Sequence, residues 1–155
     1  MSGSADLDDI DKAIIRELQV DGRAAYSRLA PLVGLSEAAV RQRVNRLQGR
    51  GVIQIVAVTD PVSLGYPFQA MLGIKVSSEV DTTAEKISQI GSVDYTVVAT
   101  GRFDVLAEVV CRDREHLLEL SDQIRATDTV SDVEIMTYLR MVQQNRWPSA
   151  SGWLR

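Results

Sequence analysis

Residues 27–47 carry the pattern that most restricts the fold of this chain, because two short apolar stripes are separated by a single glycine turn. The first stripe ends at Gly34, and Ser36, a residue type that commonly caps helices, follows it. The second stripe keeps its aliphatic residues, from Val40 to Leu47, at offsets of four and three, as an amphipathic helix does. Two helices joined by a short turn predict a helix-turn-helix, whose second helix fits a DNA major groove.

The other face of this second helix is polar and basic, which favours contact with DNA. Residues 23–50 hold six arginines against Glu37 alone, a net charge of +5, although the whole chain has a formal net charge of −4. Arginine can bind a guanine edge or a phosphate with two hydrogen bonds, which lysine cannot do. The candidate DNA-binding residues are Arg23, Ser27, Arg28, Ser36, Glu37, Ala38, Arg41, Gln42, Asn45 and Arg46.

Each of these candidates also has a structural interpretation. A polar helix face is usually only solvated, and Ser36 is in the first place a helix cap whose amide end could also hold a phosphate. Arg43 lies beside the buried stripe, where it can pair with an acid of the preceding helix or contact phosphate. The helix-turn-helix context favours DNA contact for the face as a whole.

Composition and motifs limit the other classes of function. The chain is 45% hydrophobic and 25% charged, like an ordinary soluble globule, and no apolar run approaches the roughly 18 residues of a membrane span. Its acidic N-terminus is not a secretory signal, and its one cysteine, Cys111, is predicted to be a buried thiol; both favour a cytoplasmic location. With His116 as the only histidine, and no nucleophile or phosphate-loop motif, we expect no metal, no cofactor and no catalytic residues.

The order of predicted elements indicates an α+β chain with an N-terminal winged helix-turn-helix and a ferredoxin-like βαββαβ sandwich. Periodicity predicts helices over about 9–20, 26–34, 36–48, 81–90 and 113–125, and strands over 68–76, 93–99, 103–111 and 133–142. The β-rich segment 52–58 is interpreted as a wing or connecting strand. The predicted division is a DNA-binding domain (1–51), a wing and linker (52–66), a ferredoxin-like domain (67–144) and a tail (145–155).

The two helices of the predicted sandwich cover only one face of its sheet. Residues alternate between the faces of a strand, so Met136 and Tyr138 are expected on the uncovered face. The neighbouring strands are apolar on both faces, and a sheet of this kind needs a second cover. A second copy of the domain would supply that cover, which predicts a homodimer formed through the sheet.

Short motifs follow one another in a fixed order over residues 7–142. They are Leu7-Asp8, Asp11, Ile14-Ile15, Leu18, Asp21-Gly22-Arg23, Leu29-Ala30, Val33-Gly34-Leu35-Ser36, Arg43-Val44, Leu47, Gly51-Val52-Ile53, Asp60-Pro61, Leu64-Gly65 and Thr100-Gly101-Arg102-Phe103-Asp104. In order and spacing they resemble the Lrp/AsnC family of transcription regulators, the leucine-responsive or feast/famine regulators. The resemblance implies double-stranded DNA as a partner, a small effector such as an amino acid, and dimers that often assemble into octamers. It also makes residues 67–144 the ligand-sensing and oligomerisation domain.

The resemblance also assigns the turn at 100–104 to an effector cleft at a subunit interface. An amino acid needs an acceptor for its ammonium group and a donor for its carboxylate, and Asp104 and Arg102 supply one of each. The candidate effector-binding residues are Thr100, Gly101, Arg102, Phe103 and Asp104, with Glu134 and Met136 on the opposing wall. The alternative is a plain hairpin turn in which the aspartate bonds its own backbone.

Two other functions compete with an effector-sensing regulator. A sirohaem decarboxylase-like enzyme would share the scaffold, although the solitary His116 is poorly placed for such chemistry. A weakly specific architectural DNA-binding protein would share the basic helix face. The start of the second helix, residues 37–39, departs from the hydroxyl or proline residues frequent in the family, which leaves the operator open.

Overall fold

The computed structural model describes residues 7–140, which divide into two compact units, residues 7–58 and 59–140. Three helices form the first unit: α1 (Asp9–Val20), α2 (Tyr26–Leu32) and α3 (Glu37–Gly49). They pack on a core of fully or nearly buried side chains, namely Ile14, Leu18, Ala24, Leu29, Ala30, Val40 and Val44. The three predicted helices are confirmed to within two residues at each end.

Side-chain caps fix where α1 and α3 begin. The Asp8 carboxylate accepts a hydrogen bond of 2.7 Å from the Asp11 amide, and the Ser36 hydroxyl accepts one of 3.2 Å from the Ala39 amide. Each cap satisfies a backbone amide that has no partner within its own helix. Between α2 and α3, the Leu35 amide donates to the Ala30 carbonyl and closes the tight turn. The cap predicted at Ser36 is confirmed.

The segment 52–58 does not form the strand that its composition predicts. Within the described residues it pairs with no other strand, and Ile55, Val56 and Val58 are 42%, 69% and 62% exposed. A strand needs a neighbour to accept and donate its backbone hydrogen bonds, and the single chain offers none at this place. The expectation of a strand here was wrong, because β-propensity reports side-chain preference and not the presence of a partner.

The second unit is a four-stranded antiparallel sheet with two helices. Its elements, after a 3-10 turn at Val62–Leu64, are β1 (Phe68–Val76), α4 (Val80–Ser88), β2 (Val93–Val98), β3 (Val105–Cys111), α5 (Arg114–Arg125) and β4 (Val130–Thr137). The strand order β2-β3-β1-β4 places the first and third strands at the centre. The predicted βαββαβ arrangement is therefore confirmed.

The core of this unit lies between the sheet and its helices. Alternate residues of β1 and β3, such as Leu72 and Val109, are completely buried, as is Cys111, which confirms the buried thiol. Burial raises the pKa of this thiol above its usual value, and the charge of Asp113 adds to the effect. On the other face of β1 and β3, Met71 and its neighbours are only partly buried.

The bounds of two elements differ from the prediction. The helix predicted over 81–90 is α4, Val80–Ser88, which follows Glu79 in a left-handed conformation with φ 52°. On α5, Leu118 is 51% exposed because its neighbours Leu117 and Leu120 face inward instead. The strand predicted over 133–142 is β4, which starts at residue 130 and ends at 137, where pairing with β1 stops.

Candidate DNA-binding and effector sites

All ten candidate DNA-binding residues are exposed on the first unit. Six of them lie on α3, where Val40, Val44 and Leu47 face the core and the remaining side chains face outward. The other four lie at or near the starts of α2 and α3. The helix-turn-helix thus presents one continuous stretch of polar side chains along its second helix, as the sequence predicts.

Asp11 joins α1 to α3 through two arginines. Its side chain is only 1% exposed, and its carboxylate accepts hydrogen bonds of 2.8 Å from Arg43 and of 2.7 and 2.9 Å from Arg46. Arg43 also donates to Asp8 at 2.6 Å. The backbone hydrogen bond from Asp11 and this guanidinium lower the pKa of the Asp8 carboxyl. Of the two roles left open for Arg43, the structure shows the pairing with acids of α1, whereas the pairing of Arg46 was not foreseen.

Arg41 has its own partners at the start of α3. Its guanidinium donates to Glu37 at 2.7 Å, one helical turn earlier, and lies 5.4 Å from the centre of the Tyr26 ring. Arg28 likewise pairs with Asp21, at 3.6 Å. The acids of this unit therefore balance much of its positive charge, and the net +5 of residues 23–50 overstates the charge that DNA would meet.

The structure brings two candidate effector residues of the turn between β2 and β3, Arg102 and Phe103, together with Glu134 of β4. Arg102 donates to Glu134 of β4 at 2.5 Å, and its guanidinium lies 5.3 Å from the centre of the Phe103 ring. Arg102 is 72% exposed, so this pair lies at the surface of the unit. Thr100 and Gly101 are also exposed, and Gly101 has φ 126°, a backbone conformation that other residues rarely adopt.

The Phe103 ring packs directly against the backbone of Gly73. A Cβ atom at this position would lie 2.6 Å from the aromatic ring, so only glycine leaves room for the contact. Gly73 is paired with Glu134 across β1 and β4, and Met71 is paired with Met136. The ring, the Arg102–Glu134 pair and Met136 thus lie on the sheet face that the helices leave uncovered.

Asp104 fastens the turn to the sheet. Its carboxylate accepts a 2.8 Å hydrogen bond from the Val76 amide, and its own amide donates to the Ile74 carbonyl at 3.0 Å. The carboxylate therefore bonds the end of β1, and not its own local backbone as the hairpin alternative supposed. Glu134, and not Asp104, is the carboxylate beside Arg102.

Two residues of these sites were missed by reasoning from the sequence. Asp11 was not singled out as the acid that pairs with α3, because its partners lie 32 and 35 residues away. Gly73 was not singled out within the predicted strand 68–76, although a glycine inside a strand often marks a close approach of another group.

Tyr138 is a further polar contact beyond the end of β4. Burial raises the pKa of Tyr138 to about 12, with smaller contributions from the charge of Glu108 and from a hydrogen bond to it. Glu108 faces the same side of β3 as Leu106, opposite the helices. The predicted placement of Tyr138 on the uncovered side of the sheet agrees with this contact.

Residues 7–140 hold neither a metal-binding cluster nor a membrane-spanning helix. No group of three or more potential metal ligands occurs among residues 7–140. Over the same residues, no helix is long and apolar enough to cross a membrane. The tail at 145–155, treated separately in the sequence, lies outside the described residues.

Two family models match the chain. Residues 7–48 match the AsnC-type helix-turn-helix domain, and residues 69–148 match the Lrp/AsnC ligand binding domain. An HTH-type transcriptional regulator of Pyrococcus abyssi is 35% identical over 137 residues, which cover 83% of this chain and 87% of that protein.

Solved structures agree with the family models. The leucine response regulatory protein LrpA of Mycobacterium tuberculosis superimposes with a TM-score of 0.84 at 31% identity, over 92% of this chain and 99% of that one. A feast or famine regulatory protein of the same organism, solved with L-methionine, has a TM-score of 0.83 at 31% identity, over 92% and 98%. Both units of this chain therefore have counterparts in solved proteins.

Proposed function

The chain belongs to the Lrp/AsnC family of DNA-binding transcriptional regulators, and we propose that it binds its operators through the exposed face of α3 and an amino acid beside Arg102. Like its named relatives, which are transcriptional regulators, it is a regulator and not an enzyme. The observation that carries the proposal is the polar face of α3 on a well-packed three-helix unit.

For DNA binding, the proposed contacts fall into two groups. Gln42 and Asn45 lie at the centre of the exposed α3 face, where amide side chains suit adenine edges. Arg23, Ser27 and Arg28 lie near the start of α2 and suit the phosphate backbone. Recognition helices of a dimer would enter successive major grooves about 34 Å apart.

For the effector, the chemistry of the Arg102–Glu134 pair fits a zwitterion. The guanidinium can bind a carboxylate with two hydrogen bonds, and the Glu134 carboxylate can accept from an ammonium group. An amino acid inserted between them would exchange one exposed ion pair for two. The Phe103 ring and Met136 would then line its side chain. The L-methionine bound by the Mycobacterium relative supports this class of ligand.

For assembly, the uncovered sheet face supports a homodimer. Met71, Leu106, Val110 and Met136 lie on this face with partial exposure, and Tyr95 beside them is 52% exposed. Apolar area of this kind is stabilised when a second copy covers it. Assembly of dimers into octamers, and a place in the cytoplasm beside the chromosome, complete the proposal.

Calorimetric titration with each of the twenty amino acids tests the effector site. We expect at least one to bind the wild-type protein, and Arg102→Ala and Glu134→Gln each to weaken it by about 10- to 100-fold, because each removes one charged hydrogen-bonding partner. Lys12→Ala, which removes the cation of the exposed Lys12–Asp9 ion pair in the first unit, is the control and should leave amino-acid binding unchanged. Equal binding by all variants would contradict the site.

Mobility shifts with the DNA upstream of the protein's own gene test the DNA-binding face. Gln42→Ala and Asn45→Ala change exposed residues and should weaken specific binding by about 1–3 kcal/mol each if they contact bases. Unchanged operator affinity in both α3 variants would contradict the proposed DNA-binding face.

Light scattering of a Met136→Glu variant tests the dimer, which we expect to dissociate. An unchanged mass of this variant would contradict dimerisation through the sheet.

A further inference from the structure

Glu37 carries a negative charge at a position where an approaching DNA duplex would favour a positively charged side chain. It is the first residue of α3, directly after the Ser36 cap, and its side chain is 49% exposed. Carboxylates are stabilised at helix N-termini, which explains its presence in the folded protein. DNA phosphates repel the same charge, and only a hydrogen bond accepted from a nucleobase would offset this repulsion.

Arg41 is held on two sides, by Glu37 at 2.7 Å and by the Tyr26 ring with 5.4 Å to its centre. Tyr26 is only partly exposed and packs against the core of the first unit, so its ring is an anchored surface. An exposed ion pair of this spacing contributes little to stability and can exchange its partner when a better one arrives. The ring then keeps the guanidinium near the same position.

The two side chains match the two edges of a G·C pair. Guanine presents two acceptors, O6 and N7, that suit arginine, whereas cytosine presents the N4 amino donor that suits a carboxylate. Residues one turn apart on a helix have Cβ atoms about 5–6 Å apart, which suits bases of one pair or of neighbouring pairs. At guanine or thymine the Glu37 charge would face the O6 or O4 acceptor without a donor, and at adenine the N6 amino donor lies beside the N7 acceptor, which repels a carboxylate.

We infer that Glu37 and Arg41 together read a G·C step, with Glu37 as the specificity determinant and Tyr26 as the residue that positions Arg41. This inference rests on the proposed role of α3 as the recognition helix. Glu37 penalises the sequences that lack a cytosine amino group at its position. Glu37→Gln therefore tightens binding to non-specific DNA while it weakens base discrimination.

The test is selection from a random pool of DNA duplexes by the full-length protein, followed by affinity measurements. We expect the wild-type consensus to contain a G·C step, at which replacement by A·T costs about tenfold in affinity. For Glu37→Gln, the cytosine preference at that step should fall to within about threefold, and affinity for an unrelated duplex should rise.

Asp9→Asn is the matched control, since it removes one acidic charge from an exposed side chain of the same unit. Bulk charge alone would make both variants bind every duplex more tightly by the same factor and leave the consensus unchanged. That result, or a Glu37→Gln consensus identical to the wild type, would overturn the inference while leaving sequence-specific binding intact. A wild-type protein that selects no consensus would instead overturn the proposed function itself.

Variants of Tyr26 separate positioning from packing. Tyr26→Phe keeps the ring and should retain the guanine preference, whereas Tyr26→Leu keeps an apolar side chain without the ring and should lose it. Thermal unfolding of both variants shows whether the three-helix unit is intact. Loss of stability with an unchanged base preference in Tyr26→Leu would reduce Tyr26 to a packing residue and refute its positioning role.

Discussion

Replacing Asp11 by alanine should selectively loosen the helix-turn-helix. The carboxylate is 1% exposed and accepts all its charged hydrogen bonds from Arg43 and Arg46 on α3, while Asp11 itself lies on α1. The variant removes the only carboxylate that bridges these two arginines among the described residues. The alanine methyl group replaces none of these bonds.

The size of the effect follows from exposure of the arginines. Hydrogen bonds to charged groups contribute about 1.5–3 kcal/mol each, and breaking a buried ion pair costs about 3–5 kcal/mol when the surviving charge stays buried. Arg43 and Arg46 are 23% and 47% exposed, so both can reach water after the change. We therefore expect a cost below that of breaking a buried ion pair, a loss of about 2–3 kcal/mol in the stability of the first unit.

Hydrogen exchange read by mass spectrometry on separate peptides resolves this loss from the rest of the chain. Amides of α1 and α3 should exchange about 30- to 150-fold faster in Asp11→Ala, since each 1.36 kcal/mol is a factor of ten. Amides of β1 and β3 in the second unit serve as an internal reference and should not change. Asp9→Ala, which alters a fully exposed side chain of the same helix, should cost about 0.5 kcal/mol or less.

Two results would refute this reasoning. If α1 and α3 exchanged at the wild-type rate in Asp11→Ala, the bridge would not stabilise the unit. If Asp9→Ala accelerated exchange as much as Asp11→Ala, the effect would belong to the acidic start of α1 and not to the bridge to α3.

Three further predictions concern the second unit. Gly73→Ala should displace the Phe103 ring, because the new methyl carbon would lie 2.6 Å from it, and should weaken effector binding about tenfold or more by calorimetry; unchanged binding would show that the effector does not depend on this contact. Tyr138, with a pKa of about 12 in the folded protein against 10 when unfolded, should favour the folded state below pH 10, and this contribution should be lost as the pH rises from 10 to 12. An ultraviolet titration without a phenol of raised pKa would contradict the burial of Tyr138. Cys111 should resist a thiol reagent at neutral pH until urea unfolds the chain, because its thiol is buried and its pKa is raised; rapid labelling of the folded protein would contradict this.

The regular elements could be predicted because they depend on local patterns. The stripe from Val40 to Leu47 fixes α3, and the caps at Asp8 and Ser36 fix where two helices begin. The strand prediction for segment 52–58 was wrong because its valines and isoleucines favour a strand, whereas a strand also needs a partner that the single chain lacks.

The chemistry of the sites could be predicted only in part. The family resemblance placed Arg102 and Glu134 in one candidate site, but it did not predict their 2.5 Å contact, since they are 32 residues apart. The burial of Asp11 was likewise inaccessible, because an aspartate in the first turn of a helix is explained by the dipole alone. Such pairings depend on tertiary packing, which periodicity does not report.

We propose that effector binding and DNA binding are coupled in this regulator, since a regulator responds to its effector only through such a coupling. The most direct measurement is operator affinity for the wild type and for Arg102→Ala, each with and without the amino acid that calorimetry identifies. We predict that the effector shifts wild-type affinity by about 5- to 150-fold, and that Arg102→Ala binds the operator normally without responding. An effector that binds the wild type but leaves operator affinity and oligomeric state unchanged would contradict the account.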